Sequence, residues 1–253
     1  MTPLHGLLIG VAGLLAGGIN TVVGSGTLIT FPTLVAFGYG PVTANVSNDI
    51  GLVAGGVSGT FGYRRELQGA RRLVLRLLPA SLLGSIAGAV LLIKLPPSAF
   101  AKIVPALIAV GVLLVIVGPW LQRRAAAAHT ELDSPLRRLI LVVGVFGAGI
   151  YGGYFGAAQG VLLIGLMNVL LPDDLRRITG IKNVLSTTVN AVSAVTFLVI
   201  ARDRIDWWIV LLIAVGSFVG GVLGARVGRR LPPWILRAVI VVIGVLAIVH
   251  ELV

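Results

Sequence analysis

Eight apolar runs decide what this chain can fold into. They occupy roughly residues 4–37, 41–63, 73–93, 103–121, 138–171, 178–200, 207–226 and 235–250, separated by short polar segments. A bilayer crossing takes about 20 consecutive apolar residues. Six runs fit one crossing each, 235–250 being short, whereas 4–37 and 138–171 have 34 residues each and are too long for one. With 57% hydrophobic and 11% charged residues, the chain lacks the polar surface of a soluble globular enzyme. The same composition excludes disorder and a coiled coil. The absence of cysteine excludes a disulfide scaffold, thiolate metal sites and a cysteine nucleophile. The 34 glycines suit membrane helices that pack closely.

The net charge of +11 points away from nucleic acid once the charges are located. All charged residues except Asp49 and Lys182 lie between the runs or at their ends. No stretch is long enough to form a soluble basic face. The chain opens with Met1-Thr2-Pro3-Leu4-His5, without the basic start of a cleaved signal peptide, so the first run is expected to stay in the mature protein.

The arginines also give a topology. If the two long runs return to their starting side, residues 64–76, 122–138, 172–177 and 226–237 share one side with 15 Lys and Arg, against 4 on the other. If each long run crosses once, the split is 11 to 8. The positive-inside rule favours the returning arrangement, with both termini extracytoplasmic in the cell membrane. Both long runs are interrupted by small residues, Gly24-Ser25-Gly26 in one and Gly156-Ala157-Ala158-Gln159-Gly160 in the other. Each is therefore expected to form a broken-helix hairpin, re-entrant or paired.

The chain repeats itself. An offset of 134 pairs Gly10, Gly13, Gly18 and Gly26 with Gly144, Gly147, Gly152 and Gly160. An offset of 136 pairs Ser81, Gly84, Gly88 and Leu95-Pro96-Pro97 with Ser217, Gly220, Gly224 and Leu231-Pro232-Pro233. The expected fold is an all-α integral membrane protein of two repeats, residues 1–121 and 138–253, joined by a cytoplasmic linker at 122–137. A hairpin plus three crossings per repeat makes the second repeat inverted, a hallmark of secondary transporters.

Candidate site residues cluster at the breaks. A half-helix start offers free N–H groups and a positive dipole end, which suits an anion. Gly24, Ser25, Gly26 and Thr27 form one such start; Gly156, Gln159 and Gly160 form the other. The alternative is that the glycines only allow close helix packing. On 178–200 a polar stripe carries Lys182 and Asn183, and the matching place in the first repeat holds Asn45, Ser47, Asn48 and Asp49. Intramembrane charges default to functional roles. Lys182 is assigned as the fixed cation for an anionic substrate, with Asn48 and Asn183 beside it, and Asp49 as a proton site or counter-charge; each is the other's natural partner. The bland reading has Lys182 snorkelling to the interface and Asp49 capping a helix. His5, His129 and His250 show no metal-ligand spacing, and no metal or other cofactor is expected. No phosphate-binding glycine-lysine loop is present, so no nucleotide-driven pump is encoded.

Two related halves, each opening on a glycine-rich broken segment, resemble the TauE/SafE sulfite exporter family, also called TSUP. The resemblance rests on Gly24-Ser25-Gly26-Thr27-Leu28-Ile29, Pro32-Thr33-Leu34 and Ala44-Asn45-Val46-Ser47-Asn48 in the first half. In the second it rests on Gly147, Gly152, Gly156, Gly160 and Thr179-Gly180-Ile181-Lys182-Asn183. The chain departs from the family at Ser25, within a glycine cluster, and at Leu166, which stands opposite Pro32. The resemblance implies a permease for small sulfur-containing anions such as sulfite or organosulfonates. The reading is a non-enzymatic secondary transporter working by alternating access, with protons as a coupling partner, the bilayer as its solvent and no nucleic acid. An anion channel and a non-transporting scaffold subunit are the competing readings. Small-xxx-small faces would serve a homodimer or packing within one chain.

Overall fold

The computed structural model describes residues 2–127, 135–228, 238 and 240–242. Proline or an acidic cap sets many helix starts. Helix α1 (Pro3–Val22) has Pro3 in its first turn, and the Thr2 hydroxyl accepts from the His5 N–H. Helices α2 (Thr27–Ala36), α3 (Pro41–Gly62), α4 (Arg71–Lys94), α5 (Pro97–Ala127), α6 (Pro135–Tyr154) and α7 (Gln159–Leu170) follow. Helix α8 (Leu175–Ile200) is capped by Asp174, which accepts from the Arg177 N–H. After a turn of 3-10 helix, Asp206 caps α9 (Trp207–Leu223) by accepting from the Trp208 and Ile209 N–H groups, and a π-helical turn continues over Gly224–Gly228. No strand occurs among the described residues.

Six of these helices are long and apolar enough to cross a membrane: α1, α4, α5, α6, α8 and α9 with its π-helical extension. Helix α3 has 22 residues but is more polar, and it buries Asn45, Ser47, Asn48, Asp49 and Ser58 among its neighbours. Large apolar side chains such as Leu7, Leu83, Val143, Val199 and Val215 face outward, as they do where the solvent is lipid. Trp207 and Trp208 are exposed at the start of α9 and Trp120 just past the apolar stretch Pro97–Gly118 of α5, the level at which amphipathic rings anchor. The protein is an all-α, multi-pass membrane protein.

The breaks fall off-centre. The first long run splits into 20 residues (α1) and 10 (α2), the second into 20 (α6) and 12 (α7). At 1.5 Å per residue α1 and α6 reach about 30 Å, whereas α2 and α7 reach only about 15–18 Å. The first hairpin does return: the His5 ring stacks on the Phe37 ring at 4.4 Å, bringing the start of α1 beside the end of α2. Helix α5 runs on to Ala127, into the segment expected as linker; 128–134, with His129, lies outside the described residues, as do Trp234, His250 and most of the 235–250 run.

Each hairpin's long helix packs on a helix of the other half, α1 along α9 and α6 along α4. Glycine makes these approaches possible. A Cβ on Gly13 would lie 3.0 Å from Ile213 Cα, and one on Gly149 3.0 Å from the Ser81 carbonyl oxygen. The small-residue faces are thus used inside the chain. Helices α3 and α8 cross at the centre and run antiparallel, with Gly56 against Thr187 and the Tyr63–Leu67 turn against Gly180. Beside them Phe31, Phe100, Tyr154 and Phe155 meet edge to face, ring centroids 5.1–6.3 Å apart.

Candidate functional site

Both broken helices end by the same backbone device. At the end of α1, the Ile19 carbonyl accepts from the Val23 and Gly24 N–H groups; at the end of α6, the Tyr151 carbonyl accepts from those of Phe155 and Gly156. The closing glycines both have positive φ, +89° at Gly24 and +74° at Gly156, which an L side chain adopts only with strain. Gly24 is therefore the counterpart of Gly156, not of Ala158, two residues short of the sequence offset.

The two breaks touch. The Gly160 N–H donates to the Gly24 carbonyl at 3.1 Å, and a Cβ on either glycine would overlap the other's backbone. Gly24 and Gly160, both expected at the substrate site, bond each other. The N–H groups of Ser25, Gly26 and Thr27 have no backbone acceptor among the described residues. The Ser25 hydroxyl, fully buried, and the Gln159 side-chain amide nitrogen, in a residue 3% exposed, have no hydrogen-bond partner among the described residues. The Gln159 amide folds against α6, where a Cβ on Gly152 would come within 2.6 Å of it.

Lys182 is fully buried and reaches the end of α1. Its Nζ donates to the Asn20 carbonyl at 2.7 Å, to the Thr21 carbonyl at 3.3 Å and to Asn183 Oδ1 at 2.6 Å. Asn183 Nδ2 donates to the same Thr21 carbonyl at 3.2 Å. These carbonyls belong to the negative end of a helix dipole, so the ammonium completes that end electrostatically. Lys182 does not snorkel, and it forms no ion pair with Asp49. Its aliphatic chain passes Gly160, where a Cβ would lie 3.0 Å from Lys182 Cδ.

On α3 the polar residues divide by direction. Asn48 turns to the returning helix: its Nδ2 donates to Thr27 Oγ1 at 3.3 Å, and its Oδ1 accepts from the Thr30 hydroxyl. Asn45 turns to the other hairpin, Nδ2 donating to the Tyr154 carbonyl at 3.1 Å. Asp49 lies one helical turn beyond Asn45 and is 9% exposed, mid-helix rather than at a cap; its Oδ2 has no partner among the described residues.

The fold therefore draws Gly24, Ser25, Gly26, Thr27 and Asn48 together with Gly156, Gln159, Gly160, Lys182 and Asn183 around the touching breaks, and sets Asp49 apart from Lys182. Sequence reasoning missed Thr30, although its spacing from Thr27 puts both on one face of α2. It also missed the carbonyls of Asn20 and Thr21, which only the location of the helix end reveals. Asn45 was legible only as part of a polar cluster. Among the described residues no group of three or more His, Cys, Asp or Glu side chains could hold a metal ion.

The chain has relatives named as membrane transporters. It is 26% identical over 242 residues to the probable membrane transporter protein YfcA of Escherichia coli K12, covering 95% of this chain and 86% of that one. It is 26% identical to a probable membrane transporter protein of Haemophilus influenzae, covering 91% and 88% of the two chains. A third, the probable membrane transporter protein ORF9 of a Sinorhizobium species, is 24% identical over 93% of this chain and 87% of its own. No solved structure matches. The family model of the sulfite exporter TauE/SafE matches residues 9–250, nearly the whole chain. This protein therefore belongs to the TauE/SafE sulfite exporter family of membrane transporters.

Proposed function

We propose that the protein is a secondary transporter of a small sulfur-containing anion, such as sulfite or an organosulfonate, working by alternating access. One observation carries the reading: two half-helix starts converge at the Gly24–Gly160 contact, and the buried donors Ser25 Oγ and Gln159 Nε2 lack partners there. Such donors are costly to bury unpaired, and oxyanion oxygens would satisfy them. Lys182 supplies positive charge next to Gly160, and Asp49 is the coupling carboxylate. Each half forms one repeat, and the antiparallel crossing of α3 and α8, which occupy matching places in the two halves, supports an inverted arrangement. Charge distribution supports termini outside the cytoplasm, and the stacking of His5 on Phe37 supports the returning hairpin.

Labelled sulfite flux into proteoliposomes, with and without an imposed pH gradient, tests the reading. Saturable flux with counterflow is expected. Flux that never saturates would make the protein an anion channel, and no flux of sulfite or a sulfonate in folded protein would leave a scaffold. Topology has its own test: a reporter fused after Val253 should read as extracytoplasmic, and a cytoplasmic signal there rejects the arrangement.

A further inference from the structure

The ends of α1 and α6 share one backbone motif but differ in what meets their carbonyls. In α1 the two carbonyls following the doubly bonded Ile19 are those of Asn20 and Thr21, and both accept from the Lys182 ammonium. In α6 the two carbonyls following Tyr151 are those of Gly152 and Gly153. Neither accepts a hydrogen bond among the described residues. Helix α3 meets the end of α6 at Asn45, whose Nδ2 is tied to the Tyr154 carbonyl at 3.1 Å. Asn45 is 2% exposed and Asp49 9%, and both Asn45 Oδ1 and Asp49 Oδ2 are buried without a partner among the described residues. One turn apart, they lie on the same side of α3. Asp49 also stands, by the sequence offset, where Asn183 stands on α8.

We propose that the C-terminal end of α6, with Asn45 and Asp49, forms a sodium-binding site that supplies the coupling ion. A carboxylate, an amide oxygen and helix-end carbonyls make an all-oxygen, hard donor set. Helix-end carbonyls at broken helices are where transporters of this architecture hold coupling cations. The sodium ion would play at α6 the electrostatic part that the tethered ammonium of Lys182 plays at α1. The donors also separate sodium from a proton: a proton needs only Asp49 and leaves the Gly152 and Gly153 carbonyls without a role. The coupling role rests on the transporter reading above; the site itself does not.

The test is binding, measured on the purified full-length protein in nanodiscs without any anion substrate. Radiolabelled sodium should bind saturably and be displaced by NaCl but not by KCl or choline chloride. Sodium alone should also raise the melting temperature, by mass action on the folded state. Asp49→Asn, nearly isosteric, should weaken sodium binding on the order of tenfold or more, and Asn45→Ala should weaken it as well. Asp203→Asn, in an exposed loop, should leave it unchanged. Absence of displaceable sodium, equal competition by potassium, or full binding in Asp49→Asn each overturns the inference. If sulfite flux is driven by a pH gradient without sodium binding, this site is wrong while the transporter reading stands. If sodium binds and sulfite does not move, the site stands and the substrate is wrong.

Discussion

Helices α1 and α6 end alike and are finished differently. Each closes on a glycine of positive φ, with one carbonyl shared by two N–H groups. Beyond that point α8 offers α1 a lysine and an asparagine, whereas α3 offers α6 a single asparagine. The backbone solution to breaking a membrane helix is thus repeated, and the electrostatic solution is not. The difference resides in the crossing helices, not in the hairpins. It leaves one helix end met by a lysine side chain and the other with carbonyls that have no donor among the described residues. Two related halves can in this way carry unlike chemistry on a common frame.

The shared half of the comparison is broken most severely at Gly24. Alanine there would be strained by the positive φ, about 1–2 kcal/mol. Its Cβ would also overlap Gly160, and packing overlaps typically add about 1–3 kcal/mol. At Gly156 the conformational strain is of the same kind, but the nearest atom to a Cβ is the Gly152 carbonyl oxygen at 3.0 Å. Gly24→Ala should therefore destabilise clearly more than Gly156→Ala and abolish flux. Thermal unfolding of the two variants side by side measures this, and equal losses would mean that the breaks do not touch.

The unshared half is broken at Lys182. Lys182→Met keeps the buried aliphatic volume and strips the donors from the Asn20 and Thr21 carbonyls, leaving Thr21 with Asn183 alone. Losing charge-assisted bonds at a buried helix end should cost about 2–4 kcal/mol. Asn45→Ala removes a single neutral bond at α6, about 1 kcal/mol. A thermal-shift comparison that ranks Asn45→Ala as the more damaging would remove the asymmetry on which the reading of the two ends depends. Flux should fall in Lys182→Met even under conditions where the protein remains folded.

The membrane helices could be read in the chain because bilayer length acts on long stretches. The runs at 73–93 and 178–200 became α4 and α8 almost as bounded, and both glycine breaks fell where small residues interrupt apolar runs. Lys182 and Asp49 stood out because buried charge is rare in lipid. Their partners did not, for two physical reasons. Lys182 bonds backbone carbonyls, which carry no residue signature, and its distance from Asp49 depends on the crossing of α3 and α8. The break positions were also misaligned by two residues, because glycines recur on packing faces as well as at the turns. Gly18 and Gly152, paired by the offset of 134, do different things: Gly18 lies against Gly224, and Gly152 lies beneath the Gln159 amide.

The smallest expected effect on stability is the sharpest test of the site. Among the described residues Ser25 Oγ and Gln159 Nε2 bond nothing, so removing them takes away a desolvation cost and no interaction. Ser25→Ala should change stability by no more than about 0.5 kcal/mol, in either direction. Gln159→Met, similar in volume, should behave likewise. If these donors hold oxyanion oxygens, the same variants should raise the KM for sulfite about fivefold to tenfold, the equivalent of one neutral hydrogen bond of about 1–1.4 kcal/mol. Stability and affinity then move independently, which a purely architectural serine or glutamine would not allow. A loss of stability with unchanged KM would place both residues in the packing of the breaks, and the anion would have to be held by the N–H groups of Ser25, Gly26 and Thr27 alone.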